Sequence, residues 1–148
     1  MVKGTPKNIE ELKQMANNQY SWRDRMVAIE QLKKYDCQQS RDILTRLAIH
    51  DAVFKVKEAA FRAAQGMGIT KNGKPLYLGK KHRGNLVKDI NKKLTHVRDN
   101  LSDEFSFDEF KAEFKKLYPI AYDIYEGDKD KRFDKWLLNV ISSLPKKK

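Results

Sequence analysis

The chain has 148 residues, 40% of them hydrophobic, enough for one domain or two very small ones, since a chain of this size buries roughly 70% of its unfolded surface. Its 31 Lys and Arg against 20 Asp and Glu leave a net charge of +11, and 7 Phe, 6 Tyr and 2 Trp argue against a disordered basic tail. A single cysteine, Cys37, excludes an internal disulfide or a cysteine metal cluster, the charged start has no apolar stretch of a secretory signal, and no run of about 18 apolar residues could span a membrane, so a cytoplasmic protein is expected.

The first elements repeat. Asn8 with Glu11 predicts a capped helix start, and Ile9, Leu12, Met15 and Ala16 form its apolar face. After a polar break at 17–21, Ser21 as N-cap opens a second helix on which Trp22, Met26, Ile29 and Leu32 keep helical spacing. A shift of 32 residues lays this pattern on the next stretch: Leu12 on Leu44, Ala16 on Ala48, Trp22 on Phe54, Arg23 on Lys55, Arg25 on Lys57 and Ala28 on Ala60. In the second copy Ser40 is the expected cap of a helix over 41–49, His50-Asp51 the turn, and 53–65 the second helix. A period of 20–50 residues is the mark of stacked repeats.

The openings Trp22-x-x-Arg25-x-x-Ala28 and Phe54-x-x-Lys57-x-x-Ala60, the Asp51 turn and the small Ala28 and Ala60 resemble the HEAT-like repeat family, in its short bacterial phycobilisome-lyase-type form, over residues 8–66. That resemblance implies a binding scaffold rather than a reaction. It also implies that Arg25 and Lys57 hold the repeat's structural basic position, while the second helix of each repeat lines the concave face. Two repeats are fewer than the three or more that make a stable solenoid, so the exposed end of the second needs a cover.

Five of the seven glycines fall within 66–84, which marks a break in regular structure. Asn72-Gly73 between Ile69-Thr70 and Leu76-Tyr77 signals a hairpin turn, with Pro75 limiting any strand to an edge. A helix over 86–101 follows, with Leu86, Ile90, Leu94, Val97 and Leu101 on one face. Ser106-x-x-Glu109 is a capping box opening a helix with Phe107, Phe110, Phe114 and Leu117. Pro119 starts a short segment over 120–126 closed by Gly127, and Phe133, Trp136, Leu137, Val140, Ile141 and Leu144 keep helical spacing up to Pro145. These amphipathic helices either bundle together or cap the open end of the repeats.

Charge is unevenly spread. Residues 71–98 hold 9 basic groups and one acid, a net +8, whereas 99–148 hold 10 basic and 11 acidic groups. Lys71, Lys74, Lys80, Lys81, Arg83, Lys88 and Lys92 form the candidate nucleic-acid-binding strip, with Lys88, Lys92 and His96 expected in one row along the 86–101 helix. A solvated face and an acidic protein partner are the competing readings. Arg23 and Lys55 are further candidates on the repeats. Trp22 and Trp136 lie on apolar faces and read as core; Tyr77, amid the lysines, is the better candidate for stacking on a base.

Catalysis has little to stand on. His50-Asp51 falls in a turn where Asp serves as a cap, and no nucleophile stands beside it. His82 and His96 lack ligand spacing, and Cys37 has no placed His. Asp128-x-Asp130 with Asp134 fails the calcium-loop pattern, since Arg132 and Phe133 occupy positions that need a ligand and a glycine. No cofactor, metal or small-molecule substrate is expected.

The expected architecture is all-α: two stacked HEAT-like hairpins over 1–66, a glycine-rich basic connector over 67–84, and a small bundle of three to four short helices over 85–148. The expected function is non-catalytic binding of nucleic acid, DNA or RNA. The rival is a protein–protein adaptor that holds a helix or acidic segment.

Overall fold

Buried apolar stripes recur at helical spacing along most of the chain, and they become helices. The computed structural model describes residues 1–81 and 84–145, and the protein is mostly helical, with a few two-residue strands. It divides into two units, Met1–His82 and Arg83–Lys148.

In the first unit α1 (Ile9–Ala16) packs on α2 (Trp22–Leu32), and α3 (Gln38–His50) packs on α4 (Phe54–Gly66); α2 also contacts α4, and α1 contacts α3. The positions equated by the 32-residue shift are buried in both copies at Leu12 and Leu44, Ala16 and Ala48, and Ala28 and Ala60. The two alanines, each fully buried, allow backbones to approach where a larger side chain would hold them apart. The aromatic pair departs from that symmetry: Trp22 is buried but Phe54 is half-buried. Strand β1 (Val2–Lys3) pairs in parallel with β2 (Tyr35–Asp36), a contact no local pattern announces.

Two charged residues lock these helices. Arg25, on α2, reaches the α3–α4 turn: its Nε donates to Asp51 Oδ2 at 2.8 Å and its Nη2 to Oδ1 at 3.3 Å, while Nη1 donates to the Asn18 carbonyl at 2.7 Å. Both side chains are nearly shielded from water, at 7% and 4% exposure. Asp51 Oδ1 also accepts the Val53 N–H at 2.9 Å, so one carboxylate fixes the turn that leads into α4 and holds α2.

Helix starts follow the caps. Ser21 accepts the Asp24 N–H at 3.1 Å as expected, but Asn8 makes no side-chain cap bond. Ser40 is not the cap of α3: the helix begins earlier, at Gln38, with Cys37 as N-cap and Ser40 buried inside. At the other end α4 closes in a Schellman turn, with Gly68 N–H on the Gln65 carbonyl, Ile69 N–H on the Ala64 carbonyl, and Gly68 at φ +68°. The chain then enters a hairpin of β3 (Thr70–Lys71) and β4 (Lys74–Pro75).

The second unit holds α5 (Ile90–Asp99), α6 (Phe107–Leu117), α7 (Pro119–Lys129), a 3₁₀ turn (Asp130–Arg132) and α8 (Phe133–Ser143). They share one core: Ile90, Leu94 and Val97 from α5, Phe110 and Phe114 from α6, Tyr122 and Tyr125 from α7, and Phe133 and Leu137 from α8. Tyr122 meets Phe114 and Phe133 edge-on, and Tyr125 stacks on Trp136 with centroids 4.5 Å apart. The Ser106–Glu109 capping box forms in full.

Two further expectations need correction. The helix over 86–101 begins only at Ile90, because Asp89 takes a left-handed backbone (φ +58°) and the Tyr125 hydroxyl accepts the N–H groups of Leu86 and Val87, holding that stretch away from helical pairing. Gly127 does not end α7: it is buried within the helix, which runs on to Lys129.

Candidate nucleic-acid interface

The hairpin turn fixes the geometry of the site. Asn72 and Gly73 both take positive φ, 54° and 76°, the backbone of a two-residue type I′ turn whose twist suits the flanking strands. That register sets Lys71 directly opposite Lys74. Like charges at opposed positions destabilise a strand pair. Both side chains are exposed, and no carboxylate among the described residues pairs with either. Residues 59–88 contain no Asp or Glu at all, so no acid is near in sequence.

Beyond the hairpin, Leu76 is buried and anchors its base. Tyr77 points the other way and is 84% exposed, the most exposed large apolar side chain among the described residues. Gly79 (φ +77°) comes close to the ring, since a Cβ there would lie 3.6 Å from Tyr77 Cε1. Lys80 and Lys81 follow, both exposed. Arg83 and His82 lie outside the described residues.

The remaining candidates fall elsewhere. Lys88 precedes α5 rather than riding on it, and its carbonyl accepts the Lys93 ammonium at 3.0 Å. The expected row of Lys88, Lys92 and His96 is therefore not formed. Lys92 is exposed on α5, and His96 Nδ1 sits 2.7 Å from the Tyr118 hydroxyl. Arg23 and Lys55 are brought together on one ring: the Arg23 guanidinium lies 4.5 Å and the Lys55 ammonium 5.2 Å from the Trp22 centroid. Cation–π contacts of this kind contribute about 0.5–1 kcal/mol near a surface. Trp22 is only 6% exposed and so presents no face for a base.

Titration marks other places. The Arg41 guanidinium, bonded to Asp36 at 2.8 Å, holds that carboxyl below its ordinary range. Burial works to raise the Cys37 thiol, yet hydrogen bonds to its sulfur from Ser40, Thr5 and Gln39 outweigh it and bring the thiol below its usual value. Asp51, enclosed by Arg25 and the Val53 N–H, does not serve His50 as a dyad partner. Among the described residues no group of three or more His, Cys, Asp and Glu is placed to hold a metal ion, and no helix is long and apolar enough to cross a membrane.

Sequence reasoning named the lysines but missed their pairing. The Asn72-Gly73 dipeptide carried that signal, since a two-residue turn dictates which flanking residues face each other. No family model, curated protein or solved structure matches the chain.

Proposed function

We propose that this chain is a non-catalytic nucleic-acid-binding protein, in which a HEAT-like pair of helical hairpins supports a basic β-hairpin that contacts phosphates. The observation that carries the reading is the opposed, exposed Lys71–Lys74 pair at the Asn72-Gly73 turn. Two lysines at directly opposed strand positions cost the hairpin stability, and local rules are broken in this way mostly where function requires it. An anion between them removes the repulsion. Tyr77 adds a flat exposed face, and base–aromatic stacking contributes about 1–3 kcal/mol. Lys80 and Lys81 continue the positive surface. The contact lies in the first unit.

The HEAT-like reading rests on the buried positions shared at a shift of 32 residues and on Arg25, whose place at the start of α2 and bond to the Asp51 turn suit the family's structural basic residue.

Titration of dye-labelled single-stranded, duplex and structured nucleic acids at two salt concentrations tests the proposal. Binding should weaken log-linearly with salt, by about 0.7–0.9 per neutralised phosphate. The variant Lys71→Glu, Lys74→Glu, Lys80→Glu, Lys81→Glu should lose binding while melting as the parent does; undiminished binding by it sinks the proposal. One observation favours the adaptor reading instead: a groove of about 740 Å³ beside α2 and α4, lined by the apolar Ala59, Ala63 and Met67 together with Glu30, Lys33, Lys34 and Arg62. An adaptor would ignore nucleic acid at about 0.15 M salt and show a shallower salt dependence.

A further inference from the structure

The hairpin does not stand alone. The chain from Gly68 to Lys71 forms one wall of an open groove of about 670 Å³, and the other wall is the outward face of α3. On that helix Ile43, Leu44, Leu47 and Ala48 turn to the core, so Asp42, Arg46, Ile49 and His50 necessarily face out and line the groove.

Arg41 builds the groove rather than serving a ligand. Its Nε donates to Asp36 at 2.8 Å and its Nη2 to the Met67 carbonyl at 3.3 Å, tying the start of α3 to the end of α4 and fixing the separation of the two walls. The other donors are differently placed. Arg46 turns away from Asp42 and donates to Asn17 Oδ1 at 2.5 Å, one bond from a fork that carries five N–H groups. His50 and Lys71 have no ionic or hydrogen-bonded partner among the described residues, and both are exposed. Asp42 is occupied by the Gln38 amide at 2.8 Å. Positive charge thus comes from Arg46 and Lys71, with the His50 imidazole beside them as a further hydrogen-bonding group and Ile49 as an apolar contact between.

We propose that this groove carries the sugar–phosphate backbone of a single-stranded nucleic acid, with Arg46 and His50 donating to its phosphates and Lys71 shared between the groove and the hairpin. The inference rests on the nucleic-acid reading above and names its ligand class. A concave channel of this volume lies in the range of sites for small ligands, and so suits a short run of flexible strand. A duplex presents a rigid convex backbone, and its bases are paired and closed to Tyr77. An unpaired strand leaves a base free to stack there.

The test uses the full chain with dye-labelled oligothymidylate, oligouridylate and a duplex of matched length, titrated across a salt series. The parent should bind both single strands more tightly than the duplex. Arg46→Gln with His50→Ala should weaken single-strand binding and lower the salt slope by about 0.7 for the lost Arg46 charge, with Arg46→Lys restoring part of the affinity and slope. Arg46 also bonds Asn17, so His50→Ala alone, at an exposed position, carries the test if the double variant melts early. Unchanged affinity and slope in these variants, with binding still lost on Lys74→Glu and Lys80→Glu, overturns the groove and leaves the hairpin reading standing. Duplex bound as tightly as single strand overturns the choice of ligand, and no binding by the parent to any nucleic acid overturns both readings.

Discussion

Lys71 and Lys74 face each other across a turn, where a carboxylate in place of either ammonium would serve the hairpin better. That conflict separates structure from function at a single position. Lys71→Glu should leave stability unchanged or raise it, by about 0.2–1 kcal/mol for the new opposite-charge pair, while nucleic-acid binding falls. Thermal melting and a binding titration on the same sample read the two effects, and a joint loss of stability and binding would mean that Lys71 is there for the fold. At this scale the site was legible in part. The lysines and Tyr77 could be named from an acid-free run of sequence, and the Asn72-Gly73 turn already implied a pairing. The meeting of Arg23 and Lys55 on Trp22 was not legible, because it depends on α2 and α4 coming together over a separation of 32 residues.

Between elements, shielded polar contacts set the register that apolar stripes leave loose. Arg25 and Asp51 join α2 to the α3–α4 turn, and removing one member of such a buried pair costs about 3–5 kcal/mol because the other charge is stranded. Against a whole-domain stability of roughly 5–15 kcal/mol, Arg25→Ala should lower the urea midpoint steeply. Arg25→Lys should recover little, since an ammonium has no planar fork to span both carboxylate oxygens and the Asn18 carbonyl. A loss below about 1 kcal/mol would show the contact to be incidental. The Asp36–Arg41 pair ties β2 to α3 more openly, and pH reads it. The folded Asp36 carboxyl sits below its ordinary value of 3.8, so its contribution is complete above that pH and disappears as pH falls through the lowered value. Melting temperatures of the parent and Asp36→Asn should differ at neutral pH and converge in strong acid; a gap that persists there would assign the effect to packing. The helices themselves were legible because apolar residues three and four apart reveal a buried face without knowledge of the partner. Their ends were less so. Cys37 displaced Ser40 as the cap of α3, Asp89 delayed α5 through a backbone held by the distant Tyr125 hydroxyl, and the parallel pairing of β1 with β2 joins segments more than thirty residues apart.

For the whole molecule, charge divides unequally between the two units. Residues 1–82 carry 16 basic and 8 acidic groups, a net +8, and residues 83–148 carry 15 and 12, a net +3. The excess therefore follows the unit that holds the hairpin and the α3 groove, although Arg83, Lys88 and Lys92 belong to the other. Each unit has its own buried core, Leu12 through Met67 in one and Ile90 through Leu137 in the other, so each has the means to fold when produced separately. A fragment of residues 1–82 should keep the salt-dependent binding of the full chain within a few-fold, because its lysines, Tyr77 and groove are all retained. A fragment of residues 83–148 should bind weakly at about 0.05 M salt and not at 0.2 M, because its bases are offset by nearly as many acids and unpatterned charge is screened over a Debye length of about 7–14 Å in that range. Circular dichroism establishes that both fragments are helical before titration. If the second fragment carries the binding instead, then Lys88 and Lys92 are the phosphate contacts, and the opposed lysines of the hairpin need another explanation.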